Sequence, residues 1–193
     1  MKEKDRKRMQ KGFTLIELLI VIFVSGIVLT GIYKIFFSQQ SAYRTQEQVV
    51  ELNQNLRAAL DLMVREIRLA NYKTSTSSSM GILEASPTRI RVLADLNQDG
   101  DTLDDDEDIT YVYDPDSRKI WRNDAQSVLA ENITQFSFLY TLADGSTTQN
   151  PTQLGEIRKI TVSITGRTAS PSLGTGQYRT LALTSDITPR NLL

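Results

Sequence analysis

Residues 13 to 37, FTLIELLIVIFVSGIVLTGIYKIFF, constrain this chain more than any other segment. The run holds 25 residues and only two charges, Glu17 and Lys34. As a helix rising about 1.5 Å per residue it is roughly 37 Å long, enough to cross a bilayer with some tilt. Glu17 is the anomaly. A carboxylate inside a membrane helix costs roughly 2.5–3.5 kcal/mol on insertion scales, so an acid in such a run calls for a partner and a purpose.

Charge divides at Gly12. Residues 1 to 12 carry six Lys/Arg against two acids, a balance of +4. Of the chain's 22 basic and 23 acidic residues, 16 and 21 then remain for residues 13 to 193, a balance of −5. The basic end predicts a cytoplasmic N-terminus by the positive-inside rule. The acidic remainder argues against a nucleic-acid-binding domain and leaves a role in DNA uptake open. The chain has no Cys and no His. That removes disulfide staples, thiolate catalysis, Ser-His-Asp chemistry and the usual zinc sites. No P-loop and no G-x-G-x-x-G occurs, so the reading is non-enzymatic.

After Phe37 the sequence turns polar without a breaker, and no Pro or Gly occurs from Ser38 to Tyr72. Apolar residues fall at Val49, Leu52, Leu56, Leu60, Met63 and Ile67. Steps of three and four are the period of an amphipathic helix, so residues 38 to 72 should continue the apolar helix to near Asn71 and lay one face on a folded domain. The Ser/Thr run 74 to 79 reads as a surface linker.

From Gly81 onward strand patterns dominate: Gly81 to Glu84, Arg89 to Ala94, Ile109 to Tyr113, Lys119 to Arg122, Ile133 to Thr141, Glu156 to Thr165 and Thr180 to Ile187. The alternation of ITQFSFLYT and IRKITVSITG predicts half-buried antiparallel strands. The fold class is therefore α+β, with a long N-terminal helix packed on an antiparallel sheet in a β-rich head, residues 73 to 193. Trp121 is expected on a strand, packed on the core.

One loop points to metal chemistry: ADLNQDGDTLDDDEDITY. Asp95, Asn97 and Asp99 alternate and Gly100 follows, which is D-x-N-x-D-G, the front half of a calcium loop. Counting on, Asp101 would offer its carbonyl and Asp106 would close the loop, with Glu107 or Asp108 as substitutes. Eight carboxylates between Asp95 and Asp108 would repel one another without a cation. The competing reading is a solvated hairpin tip. Extracellular calcium modules bind in the range of about 10⁻⁴–10⁻³ M.

Residues 11 to 17, K-G-F-T-L-I-E, resemble the N-terminus of type IV prepilins at every position. The resemblance implies a leader of residues 1 to 12, cut after Gly12 by a prepilin peptidase that also methylates the new N-terminal Phe13. It implies that residues 13 to 37 form the membrane and filament-core helix, and that Glu17 pairs with the N-terminal amine of a neighbouring subunit. An ammonium and a carboxylate in low dielectric compensate each other, whereas either alone is expensive. Gly26 and Gly31 would allow close helix approach.

The stretch YRTQEQVVELNQNLRAALDLMVREIRLANY and the ending SDITPRNLL resemble PilW-type minor pilins. The first stretch is also similar to J-type minor pseudopilins of type II secretion. The implied fold is the type IV pilin fold. The implied role is a minor pilin in pilus assembly or priming, with effects on adhesion or twitching motility. Its partners would be other pilins, prepilin peptidase and the inner-membrane assembly platform of a bacterium. Two alternatives stand beside it: a type II secretion pseudopilin, and a membrane-tethered calcium-binding adhesin.

Overall fold

The computed structural model describes residues 12–72, 81–104 and 106–190. The basic leader before Gly12, the Ser/Thr run 74 to 79, Asp105 and the last three residues lie outside them. Helix α1 spans Leu15–Arg68, 54 residues. Contacts divide the chain into two units, Met1–Arg44 and Thr45–Leu193, and α1 contributes to both.

In the first unit every side chain from Gly12 to Gln40 is exposed. The helix has an 18-residue window long and apolar enough to cross a membrane, with none of it buried inside the protein. In the second unit α1 buries Leu52, Leu56, Ala59, Leu60, Met63 and Ile67, one stripe at helical spacing. The helix ends three residues before Asn71. Leu69 N–H donates to the Glu66 carbonyl (3.0 Å) and Ala70 N–H to that of Ile67 (3.1 Å), a tightened last turn. Asn71 then takes φ 63°, the left-handed conformation that commonly follows a helix end.

Nine strands follow. β1 (Gly81–Ala85), β2 (Arg89–Leu93), β3 (Asp108–Asp114), β4 (Lys119–Arg122) and β5 (Val128–Ala130) form one antiparallel sheet in that order. β6 (Ile133–Leu142), β7 (Thr147–Thr148), β8 (Ile157–Arg167) and β9 (Thr180–Ile187) form a second, ordered β7-β6-β8-β9. The expectation of a single sheet is thus corrected to two. The change of sheet falls at Asn132, which takes φ 59° between β5 and β6, after which β6 pairs with β8 instead.

The sheets are stitched together. Phe138 N–H of β6 donates to the Pro87 carbonyl (2.8 Å), and the Tyr140 hydroxyl donates to the Ser86 carbonyl (2.9 Å). The α1 stripe joins residues of both sheets in one core that includes Ile90, Tyr111 and Ile120 from the first and Phe138, Ile160 and Ile164 from the second. Each fully buried aliphatic or aromatic side chain there contributes about 1.5–3 kcal/mol relative to an exposed one. Gly166 on β8 lets the helix approach. A Cβ at that position would lie 2.9 Å from Leu52 Cδ1 and 3.1 Å from Leu56 Cδ2.

Trp121 differs from the expectation. Alternation along β4 sends Ile120 into the core, so Trp121 stands on the other face, half-buried and opposite Val112.

Candidate functional site

The N-terminal end of α1 is built by four residues. Gly12, Phe13 and Thr14 precede the helix, and Phe13 is 84% exposed. The first N–H groups of a helix have no partner within it. Here Thr14 and Glu17 supply them reciprocally. Thr14 Oγ1 accepts from Glu17 N–H (3.3 Å), while Glu17 Oε2 accepts from Thr14 N–H (2.9 Å) and from the Thr14 hydroxyl (2.9 Å). This is a capping box, with the acid placed favourably at the positive end of the helix dipole. The sequence spells it as T-L-I-E. The carboxylate is therefore not bare, although its surroundings are apolar.

Further along the same unit, Ile22, Phe23, Gly26, Ile27, Thr30, Gly31 and Lys34 line an open apolar hollow on the helix surface. Nothing lies within 4 Å of where a Cβ would stand at Gly26 or Gly31. The Thr30 hydroxyl donates to the Gly26 carbonyl (2.8 Å), which hides its polar group from hydrocarbon.

The second candidate is the β2–β3 loop. Asp95 and Glu107 stand at its two ends, both buried, and Asp99 reaches in from the exposed tip. One carboxylate oxygen from each of the three lies within 4.8 Å of the others. Glu107 Oε1 accepts from Leu96 N–H (2.6 Å) and Asn97 N–H (3.0 Å), pulling the loop shut across its base. At the tip, side chains hold the backbone two residues on. Asp99 N–H donates to Asn97 Oδ1 (2.8 Å), Asp101 N–H to Asp99 Oδ1 (3.0 Å) and Leu103 N–H to Asp101 Oδ1 (3.0 Å). Gln98 and Gly100 take φ 67° and 95°, which curls the loop inward.

Of the five residues counted from the motif, the structure brings together Asp95 and Asp99. Asn97 packs beside them, its amide donating to Asp99 Oδ2 (2.9 Å) and Asp104 Oδ2 (2.7 Å). Asp101 stays at the exposed tip. Asp106 is turned away. It pairs with Arg122 Nη2 at 3.0 Å, and Glu107, one residue later, occupies the closing position. The two residues lie in the turn that enters β3, where Arg122 draws Asp106 outward. β3 begins at Asp108, whose side chain is held by Arg91 of β2 (2.8 and 2.5 Å).

Asp106 joins a polar network that the sequence did not announce. Glu66 of α1 accepts from Arg122 Nε (3.1 and 3.2 Å) and from the Tyr111 hydroxyl, and it pairs with Arg122 Nη2 (3.1 Å). Burial raises the Tyr111 phenol far above its ordinary value, and the Glu66 carboxylate adds to the rise. Burial works to lower the Arg122 guanidinium, but hydrogen bonds and charge from Glu66 outweigh it and the pKa rises. Glu66 thus favours the neutral Tyr111 phenol and the charged Arg122 guanidinium.

Comparison with known families now has geometry to stand on. Residues 7–33 match the prokaryotic N-terminal methylation motif, which covers Gly12, Phe13, Glu17 and most of the apolar run. Residues 45–182 match the family model for prepilin peptidase-dependent protein B, well over half of the chain. No curated protein and no solved structure matches the chain. The methylation motif implies processing by a prepilin peptidase and assembly with other pilins, and with the apolar helix it marks an inner-membrane-anchored, pilin- or pseudopilin-like protein. An exposed Gly12–Phe13 junction, a capped apolar helix and a two-sheet domain over the matched residues converge on one conclusion: the chain belongs to the prepilin peptidase-dependent protein B family.

Proposed function

We propose that this chain is a PilW-type minor pilin that helps assemble or prime a type IV pilus. In this reading the cut falls between Gly12 and Phe13, Phe13 is N-methylated, and the basic leader marks a cytoplasmic N-terminus with the second unit exported. The observation that carries the reading is the start of α1. The Gly12–Phe13 junction is non-helical and exposed immediately before a capped helix, and no side chain from Gly12 to Gln40 is buried within the protein. An apolar surface of that length is stable only in lipid or against other helices. In the filament, the Glu17 carboxylate would exchange its Thr14 partner for the N-terminal amine of a neighbour, which also sets the register between subunits.

The test is expression with an active prepilin peptidase in a host deleted for this chain, followed by intact mass and analysis of sheared filaments. The expected product begins at N-methyl-Phe13, co-purifies with pili and restores their number. Glu17→Ala should reach the membrane and be absent from the filaments. Normal incorporation of that variant would overturn the amine–carboxylate pairing. Restoration of protein secretion without any effect on pili would place the chain with the J-type pseudopilins, to which Tyr43 to Tyr72 are also similar. A chain still beginning at Met1 beside a processed control would leave a tethered adhesin.

A further inference from the structure

The assembly reading makes no use of the β2–β3 loop, and that loop holds the densest charge in the chain, eight carboxylates between Asp95 and Asp108. Two of them are paired with arginines. Asp108 is held by Arg91, and Asp106 by Arg122, which also serves Glu66. Asp101 and Asp104 are exposed. Among the described residues, carboxylate oxygens of Asp95, Asp99 and Glu107 converge.

Glu107 is the telling member. It is only 2% exposed. Its Oε1 is satisfied by two backbone N–H groups, but Oε2 is buried and has no hydrogen-bond partner among the described residues. Burying an ionised oxygen without compensation is costly, and proteins avoid it by pairing, protonation or metal coordination. Arg89 and Arg91 of β2 and Arg122 of β4 are committed to other acids. What Glu107 does have within reach is an oxygen from each of Asp95 and Asp99.

We propose that Asp95, Asp99 and Glu107 bind one calcium ion. All three donors are hard carboxylate oxygens, and the chain has no His or Cys to favour zinc or copper. Two ligands come from the buried ends of the loop and one from its tip, so the ion would close the loop as a clasp. The exposed side at Asp99 leaves room for water ligands, and a loop ligand set of this kind suits the irregular coordination of calcium better than the strict octahedron of magnesium. Asn97 acts behind the ligands by orienting Asp99. The site is independent of which filament takes the chain.

Titration calorimetry on the full-length chain in detergent, stripped with chelator and titrated with calcium chloride at physiological ionic strength, tests the site. One ion per chain is expected, with Kd of about 10⁻⁴–10⁻³ M. Glu107→Gln and Asp99→Asn should each weaken binding at least tenfold, and Asp106→Asn should change it less than threefold. Magnesium should bind at least tenfold more weakly. Absence of saturable binding up to 10 mM calcium, or wild-type affinity in Asp99→Asn, overturns the proposal. So does an Asp106→Asn loss as large as that of Asp99→Asn, or equal affinity for magnesium. Asp99 is exposed at the tip, so its variant keeps the test valid even if Glu107→Gln unfolds.

Discussion

Leu19 and Leu56 are both leucines of helix α1, yet the first is 60% exposed and the second is fully buried. The same contrast holds for the stretches around them. Leu15 to Phe37 is apolar on every side of the helix, whereas from Leu52 to Ile67 one apolar stripe runs beside Glu51, Arg57, Asp61 and Arg65. A helix that is hydrophobic all round has no preferred face and must find an apolar medium; a striped one has already chosen its partner. The difference teaches that the two parts of α1 answer to different solvents. The first is specified by lipid and neighbouring subunits, the second by the chain's own sheets.

Substitution should break this symmetry most sharply. Leu56→Ala removes side-chain atoms from a packed core and should cost about 2–5 kcal/mol, read as a lowered denaturant midpoint for the second unit. Leu29→Ala, at a 65% exposed position of the same helix, should leave that midpoint unchanged. Equal losses would show that the first part also packs within the protein. The next effect in size concerns Glu66. Glu66→Ala strands the Tyr111 hydroxyl and deprives Arg122 of its main partner, so unfolding should become easier by about 2–4 kcal/mol, less than for a fully buried pair because Asp106 remains on Arg122. Restoring stability by combining Glu66→Ala with Arg122→Leu would isolate the stranded charge as the cause.

The smallest effect is pH dependence of the buried region. Burial holds the phenols of Tyr111 and Tyr140 above the ordinary value of 10.0. A folded-state pKa above the unfolded one stabilises the fold below about pH 10, and that contribution is lost as the pH rises beyond it. The melting temperature should therefore fall above pH 10, and Tyr140→Phe should flatten the fall by about 2–4 °C. On the acid side the sign reverses. Asp144 is lowered by Ser146, and Asp186 is lowered first by Thr161 and then by Lys159. Their contribution is present above pH 3.8 and is lost only as the pH drops through their depressed values.

Long periodic segments were legible in the sequence, while features set by single contacts were not. Lys119–Arg122 and Thr180–Ile187 are strands at their expected bounds, and the stripe from Leu52 to Ile67 is buried as its spacing implied. Val128–Ala130 and Thr147–Thr148 are too short to show a period. The division into two sheets turns on Asn132, whose left-handed backbone no periodicity reveals. At the acidic loop, alternation identified Asp95 and Asp99, but the choice of Glu107 over Asp106 needed the position of Arg122, 16 residues beyond Asp106. Gly166 is similar. Its meaning lies in Leu52 and Leu56, more than a hundred residues away.

The Thr14–Glu17 box has a consequence for timing. Starting a helix is the unfavourable step, because several residues must be ordered before the first backbone bonds repay it. In α1 that nucleus lies wholly downstream of Gly12, at Thr14 to Glu17. A cut at the proposed Gly12–Phe13 bond would therefore leave every residue of that nucleus on the product.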